Sequence, residues 1–293
     1  MSRKFVITGG AGFIGSHLAE ALAKENKVTV IDDLSAGKLE NLAGLDVEFQ
    51  KGSITDFEHL RHSFQGADCV FHLAAIASVK KSVEDPLQTN AVGIDGTLKV
   101  LLAARDAGVR RVVLASSAAV YGSLEKLPKK ESMTPEPMSP YAVSKLAGEH
   151  YARVFQELYG LDTVSLRYFN VFGPRQDPSS EYSGVISRFI SALLQGGQPV
   201  IFGDGEQTRD FVYVADVVKA NILASRSSTG VFNIAGGKSI SLNALAKTIG
   251  KILGREVTPR YEAPRTGDIR HSLADISCAE SLGYSPEYSI EEG

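Results

Sequence analysis

Tyr141 and Lys145 stand four residues apart, just behind Ser139 and Pro140, a pair that suits a helix start. On a helix that spacing puts a phenol and an ammonium on one face. A free tyrosine titrates near pH ~10, too high for an efficient base at neutral pH. A positive charge beside it favours the phenolate. Such a pair can take the proton of an alcohol while hydride leaves the same carbon. A hydroxyl to bridge the alcohol and the phenol is offered by Ser116 and Ser117. They close the apolar run Val112-Val113-Leu114, which reads as a strand. Open α/β sheets bind ligands at the carboxyl ends of their strands. From the residues alone, either serine can serve.

A hydride needs an acceptor, and the start of the chain supplies a place for one. The strand-like Phe5-Val6-Ile7 runs into Thr8-Gly9-Gly10-Ala11-Gly12-Phe13-Ile14-Gly15. Gly9, Gly12 and Gly15 are three apart, and Gly10, Gly12 and Gly15 match G-x-G-x-x-G. A helix-like stretch, Ile14 to Ala23, and a second strand, Val28 to Ile31, follow. In that setting the glycines allow a tight turn and close approach of a pyrophosphate, which the helix N-terminus then attracts. Asp32 ends the second strand, 17 residues after Gly15. A carboxylate there accepts hydrogen bonds from an adenosine ribose and repels a 2′-phosphate, which favours NAD over NADP. Asp33 is the neighbouring candidate. Lys38 is the nearest base, so some use of NADP stays open.

Short apolar runs alternate with helical stretches through residue 170. The runs include Val47 to Phe49, Cys69 to Leu73 and Thr163 to Leu166; the helical stretches include Leu87 to Ala107 and Tyr141 to Tyr159, the latter closed by Gly160. The pattern predicts an α/β fold, a Rossmann-type doubly wound parallel sheet, with a smaller C-terminal substrate-binding domain. Residues 1–170 form the expected dinucleotide domain, and 210–230 return to it. Residues 171–209 and 231–293 form the expected second domain. Val185 to Gln195 and Asn243 to Leu253 read as helices there, and Val200 to Gly205 as a strand and turn.

Composition agrees with a packed globular chain: 293 residues, 43% hydrophobic and 22% charged. A net charge of −3 argues against nucleic acid or an anionic membrane as partner. An anionic ligand must therefore be held by local groups. The two cysteines, Cys69 and Cys278, show no metal or disulfide spacing, and Cys69 reads as a buried thiol. With no signal-type or membrane-spanning run, the expected compartment is the cytoplasm.

Taken together, the glycine turn, Ser117, Tyr141 and Lys145 resemble the extended short-chain dehydrogenase/reductases, and within them the NAD-dependent epimerase/dehydratase family. The likeness covers nearly the whole chain. It selects Ser117 over Ser116. Phe71-His72-Leu73-Ala74-Ala75 looks like the family's fourth-strand cofactor segment, with His72 structural. The resemblance implies bound NAD held by Gly9, Gly12, Phe13, Ile14, Gly15, Asp32, Asp33, Ser35, Gly37, Ser53, Ile54, Leu73, Ala74, Ala75, Tyr141, Lys145 and Tyr168. Ser53 and Gly93 depart from the family's usual aspartate and asparagine, which would reshape the NAD site without removing the chemistry.

The same likeness implies a nucleotide-sugar substrate, oxidised at C4. Arg167 to Pro174 resembles the loop joining cofactor to substrate, with Asn170 on the diphosphate. Phe202 to Phe211 resembles the nucleotide-binding turn, with Phe202 near uracil and Arg209 on a diphosphate oxygen, a role suited to a guanidinium. Arg265 to Asp275 resembles the segment that supplies Arg265 to the diphosphate and Asp268 to a ribose. Ser78, Ser117, Tyr141, Val185 and Ser272 complete the implied substrate set. The family's 4,6-dehydratases carry Asp-Glu after the catalytic serine or threonine, where this chain has Ala118-Ala119. Decarboxylases carry a glutamate in that stretch. Without those carboxylates the expected outcome is 4-epimerisation of a UDP-hexose. Ser272 aligns with a sugar-pocket gate that tyrosine would narrow, so N-acetyl sugars are expected to fit. Alternatives are a UDP-glucuronate 4-epimerase, a dehydratase or reductase of the same superfamily, or an NAD-binding sensor or scaffold without turnover. The family also implies a homodimer packed through the stretches 87–107 and 141–159. Its members continue into a last helix where this sequence ends at Gly293, so a shortened tail is expected.

Overall fold

The computed structural model describes residues 2–177, 184–226, 229–264 and 269–293. The strands are β1 (Lys4–Thr8), β2 (Lys27–Asp32), β3 (Glu48–Lys51), β4 (Cys69–His72), β5 (Arg111–Ser117), β6 (Asp162–Tyr168), β7 (Asn170–Phe172), β8 (Val200–Phe202), β9 (Thr208–Tyr213), β10 (Gly230–Ile234), β11 (Ser239–Ser241) and β12 (Arg260–Glu262). The helices are α1 (Phe13–Ala23), α2 (Phe57–Ser63), α3 (Val79–Glu84), α4 (Pro86–Asn90), α5 (Thr97–Asp106), α6 (Pro140–Tyr159), α7 (Val185–Leu194), α8 (Val214–Ala224), α9 (Leu242–Leu253) and α10 (Ser277–Glu280).

Among the described residues, seven strands form one parallel sheet in the order β3-β2-β1-β4-β5-β6-β10. This is the doubly wound, Rossmann-type sheet that the alternation predicts. Its order reverses between β1 and β4, and at such a switch point the carboxyl ends of the strands open a crevice. Strands covered on both faces read as unbroken apolar runs. Phe5, Ile7, Cys69, Phe71 and Val113 pack with Leu18, Leu22 and Val217 on one face. Val6, Val70, Val112 and Leu114 pack with Leu60, Leu101, Ala152 and Phe155 on the other. Cys69 is a core residue, its thiol pushed up to about 12 by burial and so inert.

Local chemistry sets the ends of α6. The Ser139 hydroxyl accepts the Ala142 N–H at 3.2 Å, Pro140 takes the first turn, and Gly160 ends the helix at φ +67°. The stretch expected as one helix over 87–107 is instead α4, a π-helical turn at Ala91–Gly96, and α5. The wide turn presses Gly93 onto α6, where a Cβ would lie 2.8 Å from the Ser144 side chain. An asparagine at Gly93 would therefore strike the turn that carries Lys145.

The chain's return to the sheet also differs from expectation. Thr208–Tyr213 joins a small sheet, β11-β9-β7, while α8 packs on α1 and β10 takes the edge of the main sheet beside β6. The returning segment thus runs to Ile234. The second core gathers Phe172, Phe189, Leu193, Ile201, Phe211 and Leu245. Asp210 pins it to the first. This fully buried carboxylate accepts the N–H groups of Gly236 (2.8 Å) and Ala274 (3.0 Å). Burial pushes its pKa up to about 6, against the pull of those backbone hydrogen bonds.

No helix among the described residues is long and apolar enough to cross a membrane. On the two stretches expected to pair between copies, Leu87 and Leu158 are 83% and 70% exposed.

Candidate active site

The glycine turn lies at the end of β1, on one side of the switch point. Gly9 adopts φ +72°, and a Cβ there would meet the Ala74 nitrogen at 2.6 Å. A Cβ on Gly15 would lie 2.3 Å from the Gly9 carbonyl oxygen. The turn is thus packed against Leu73 and Ala74 of the segment after β4, and Leu73 N–H donates to the Thr8 carbonyl at 3.0 Å. Helix α1 starts at Gly12 with no side-chain cap and no acidic residue in its first turn. Its leading N–H groups, of Phe13, Ile14 and Gly15, are the kind of donors a pyrophosphate takes.

Asp32 closes the other wall. Its Oδ2 accepts the Ala11 N–H at 3.0 Å and its Oδ1 the Leu34 N–H at 2.8 Å, and Gly37 packs against the carboxylate. Burial, the strongest influence, raises its pKa, while the two backbone N–H groups lower it. Each oxygen keeps acceptor capacity for a ribose hydroxyl. Asp33 instead binds its own loop, accepting the Ser35 N–H at 2.9 Å. Lys38, the base left open for a 2′-phosphate, bonds Asp177 at 2.9 Å. The Ser53 hydroxyl pairs with Thr55 at 2.8 Å, and Ile54 is buried beside it. An uncapped helix, a glycine cradle and a ribose-reading carboxylate fit NAD.

Ser117, Tyr141 and Lys145 meet on the other side of the switch point. Ser117 ends β5 and accepts the Ala119 N–H at 3.1 Å, and its hydroxyl neighbours the Tyr141 phenol. Burial raises the phenol's pKa, and the nearby Ser117 hydroxyl lowers it. Lys145 Nζ donates to the Ala115 carbonyl at 2.7 Å and lies 5.9 Å from the centre of the Tyr141 ring. Burial pulls its ammonium down to about 8, against the attraction of Glu149. Ser116 is turned elsewhere and donates to Glu149. His72 is held between Thr8 (2.8 Å) and Thr97 (3.0 Å), and burial drives it down to about 3. It is a neutral strut under the crevice.

The substrate-side residues gather beyond β6. Asn170, Val185, Phe202 and Arg209 line a cavity of about 230 Å³. Phe202 and Gln207 also line a neighbouring cavity of about 550 Å³, together with Tyr261 and Arg270. Asn170 Nδ2 donates to the Asp210 carbonyl at 3.0 Å, and Arg209 Nη1 to that of Thr208 at 2.9 Å. Ser272 N–H donates to the same Thr208 carbonyl at 3.1 Å, which seats Ser272 beside Arg209. Ser78 caps α3 by accepting the Lys81 N–H at 3.1 Å. The Tyr168 side chain, expected at the cofactor, is committed to the core, its hydroxyl donating to Asn221 at 2.9 Å. Arg265 and Asp268 lie outside the described residues.

Comparison with known proteins places this arrangement. Residues 5–235 match the model of the NAD dependent epimerase/dehydratase family. The chain belongs to that family. A UDP-glucose 4-epimerase of Mycolicibacterium smegmatis is 42% identical over 98% of this chain and 95% of its own length. The solved UDP-N-acetylglucosamine 4-epimerase of Methanobrevibacter ruminantium, in complex with UDP-N-acetylmuramic acid, is 48% identical with a TM-score of 0.95, covering 98% of this chain and 93% of that one. The UDP-glucose 4-epimerase of Thermotoga maritima, solved with UDP-glucose, is 42% identical with a TM-score of 0.95, covering 99% and 96%.

Three residues of this epimerase/dehydratase family member escaped the sequence reading. Asp210 follows Arg209 directly, yet the backbone groups it binds are remote in sequence. Glu149 stands four residues after Lys145, a spacing that puts it on the same face of α6 as Tyr141 and Lys145. Its partner Arg167 opens the loop motif quoted for Asn170, and only the packing of α6 on β6 brings the two together.

Proposed function

We propose that this enzyme is a UDP-hexose 4-epimerase that interconverts UDP-glucose with UDP-galactose and UDP-N-acetylglucosamine with UDP-N-acetylgalactosamine. The observation that carries the reading is the Ser117–Tyr141–Lys145 cluster followed by a turn, Ala118–Tyr121, that offers no second carboxylate. Bound in the crevice, NAD accepts and returns the C4 hydride, and its cationic ring adds to the charge that favours phenolate. Tyr141 takes the C4 hydroxyl proton as the sugar is oxidised, and gives it back when the ketone is reduced on its other face. Ser117 bridges the sugar oxygen and the phenol. Lys145, carried to the phenol by one helical turn, supports the phenolate. Nothing in the turn after Ser117 is placed to eliminate water or a carboxyl group, so epimerisation is the outcome. The identity to enzymes that bear the UDP-glucose and UDP-N-acetylglucosamine epimerase names supports both substrate pairs.

The test is a product analysis by NMR, with each UDP-sugar supplied separately and no reductant added. Turnover of both pairs is expected. Turnover of UDP-glucuronate alone would transfer the assignment to that substrate.

Ser272 is the expected gate. Ser272→Tyr adds a ring beside Arg209, where the N-acetyl group has to pass. It is expected to lower kcat/KM for the N-acetyl pair by about tenfold or more, while the plain hexoses change little. Equal rates for both pairs in the variant would remove the gate.

A further inference from the structure

Tyr141, Lys145 and Glu149 repeat at four-residue steps along α6, so they share a face. The first two are the base and its ammonium; the third takes no part in the chemistry above. Glu149 is 7% exposed and Arg167, on β6, 3%. Arg167 grips the carboxylate with Nε to Oε1 at 2.9 Å and Nη2 to Oε2 at 2.7 Å. Burial works against the guanidinium's charge, but the hydrogen bonds and attraction of Glu149 outweigh it, so Arg167 stays charged. The guanidinium lies 4.8 Å from the centre of the Tyr121 ring, and Nη1 finds no hydrogen-bond partner among the described residues.

A buried pair of this kind is a poor stabiliser, because apolar replacements of similar size are often neutral or better. Its position gives it another use. Ser116 donates to Oε1 of Glu149 at 2.5 Å. On one side of Ser116 is Ala115, whose carbonyl receives the Lys145 ammonium; on the other is Ser117, whose hydroxyl neighbours the Tyr141 phenol. Holding the Ser116 hydroxyl against α6 fixes the backbone on both sides of it, the Ala115 carbonyl that Lys145 uses and the Cα that carries the Ser117 hydroxyl.

We propose that Glu149 and Arg167 are positioning residues: through Ser116 they set the end of β5 in register with α6, and so align Ser117 and Lys145 on Tyr141. The proposal rests on the catalytic roles assigned under the proposed function.

Ser116→Ala removes one hydroxyl and leaves the ion pair whole. It is expected to keep the wild-type melting temperature, bound NAD and KM, and to lower kcat about tenfold, since displacing reacting groups by even ~1 Å costs up to about 100-fold. Ser116→Thr restores the hydroxyl and is expected to recover most of that rate. Glu149→Leu combined with Arg167→Met replaces the pair by apolar groups; it is expected to fold and bind UDP-sugar with the same slowed kcat. A purely structural role would move the melting temperature instead. If folded Ser116→Ala keeps kcat within about twofold of wild type, or Ser116→Thr is as slow as Ser116→Ala, the proposal is overturned. Ser117→Ala separates the two levels. A slow Ser117→Ala beside a full-rate Ser116→Ala sinks only the positioning role; a full-rate Ser117→Ala sinks the catalytic assignment.

Discussion

Tyr141→Phe is expected to fold, keep its NAD and lose turnover by about 10²- to 10⁴-fold, the range that a positioned acid–base group contributes. The ring is half-buried at the start of α6, and phenylalanine preserves its packing. What disappears is the oxygen beside the Ser117 hydroxyl, on the ring that the Lys145 ammonium faces at 5.9 Å. Ser117 and Lys145 keep their other partners, the Ala119 N–H and the Ala115 carbonyl, so the loss should be confined to kcat. Steady-state kinetics with UDP-galactose, beside absorbance of the bound cofactor, measures both. A variant with normal kcat would remove Tyr141 from the chemistry. A variant stripped of NAD would show that the ring serves mainly to hold the cofactor.

The second large effect belongs to the opposite side of the crevice. Gly15→Ala puts a methyl carbon 2.3 Å from the Gly9 carbonyl oxygen and 2.7 Å from the Gly10 Cα. Both are backbone atoms, so no side chain can swing aside and the turn itself has to open. Overpacking of this sort costs about 1–3 kcal/mol. The turn is also where a pyrophosphate must sit against the first N–H groups of α1. Charged to binding, the strain weakens NAD by about 10- to 100-fold. Equilibrium binding of NAD to cofactor-stripped protein measures it. Unchanged affinity would mean that the dinucleotide does not rest on this turn.

Much of this was legible in the sequence, for a physical reason. Parallel strands buried on both faces write themselves as apolar runs, so β1, β2, β4, β5 and β6 stand out. The ends of α6 are spelled by Ser139, Pro140 and Gly160, each acting on its own neighbours. The candidate site sits near the ends of these same elements, and so Asp32, Tyr141 and Lys145 could be named from spacing, while only the family resemblance separates Ser117 from Ser116. The rest depends on contacts between remote segments. The π-helical turn at Ala91–Gly96 brings Gly93 close to Ser144, a contact that no helical periodicity encodes. β9 reads like a main-sheet strand, and only its pairing with β7 and β11 moves it to the second body. Glu149 and Arg167 look like two surface charges until α6 packs on β6. Asp210 looks like a turn acid until Gly236 and Ala274 close around it.

The central claim is that one hydride leaves C4 and returns to the same carbon from the other side. UDP-galactose carrying deuterium at C4, converted in ordinary water with no added reductant, tests it most directly. UDP-glucose that still holds the deuterium at C4 is the predicted product. Product with hydrogen from solvent at C4, or no conversion by NAD-loaded protein, would contradict it.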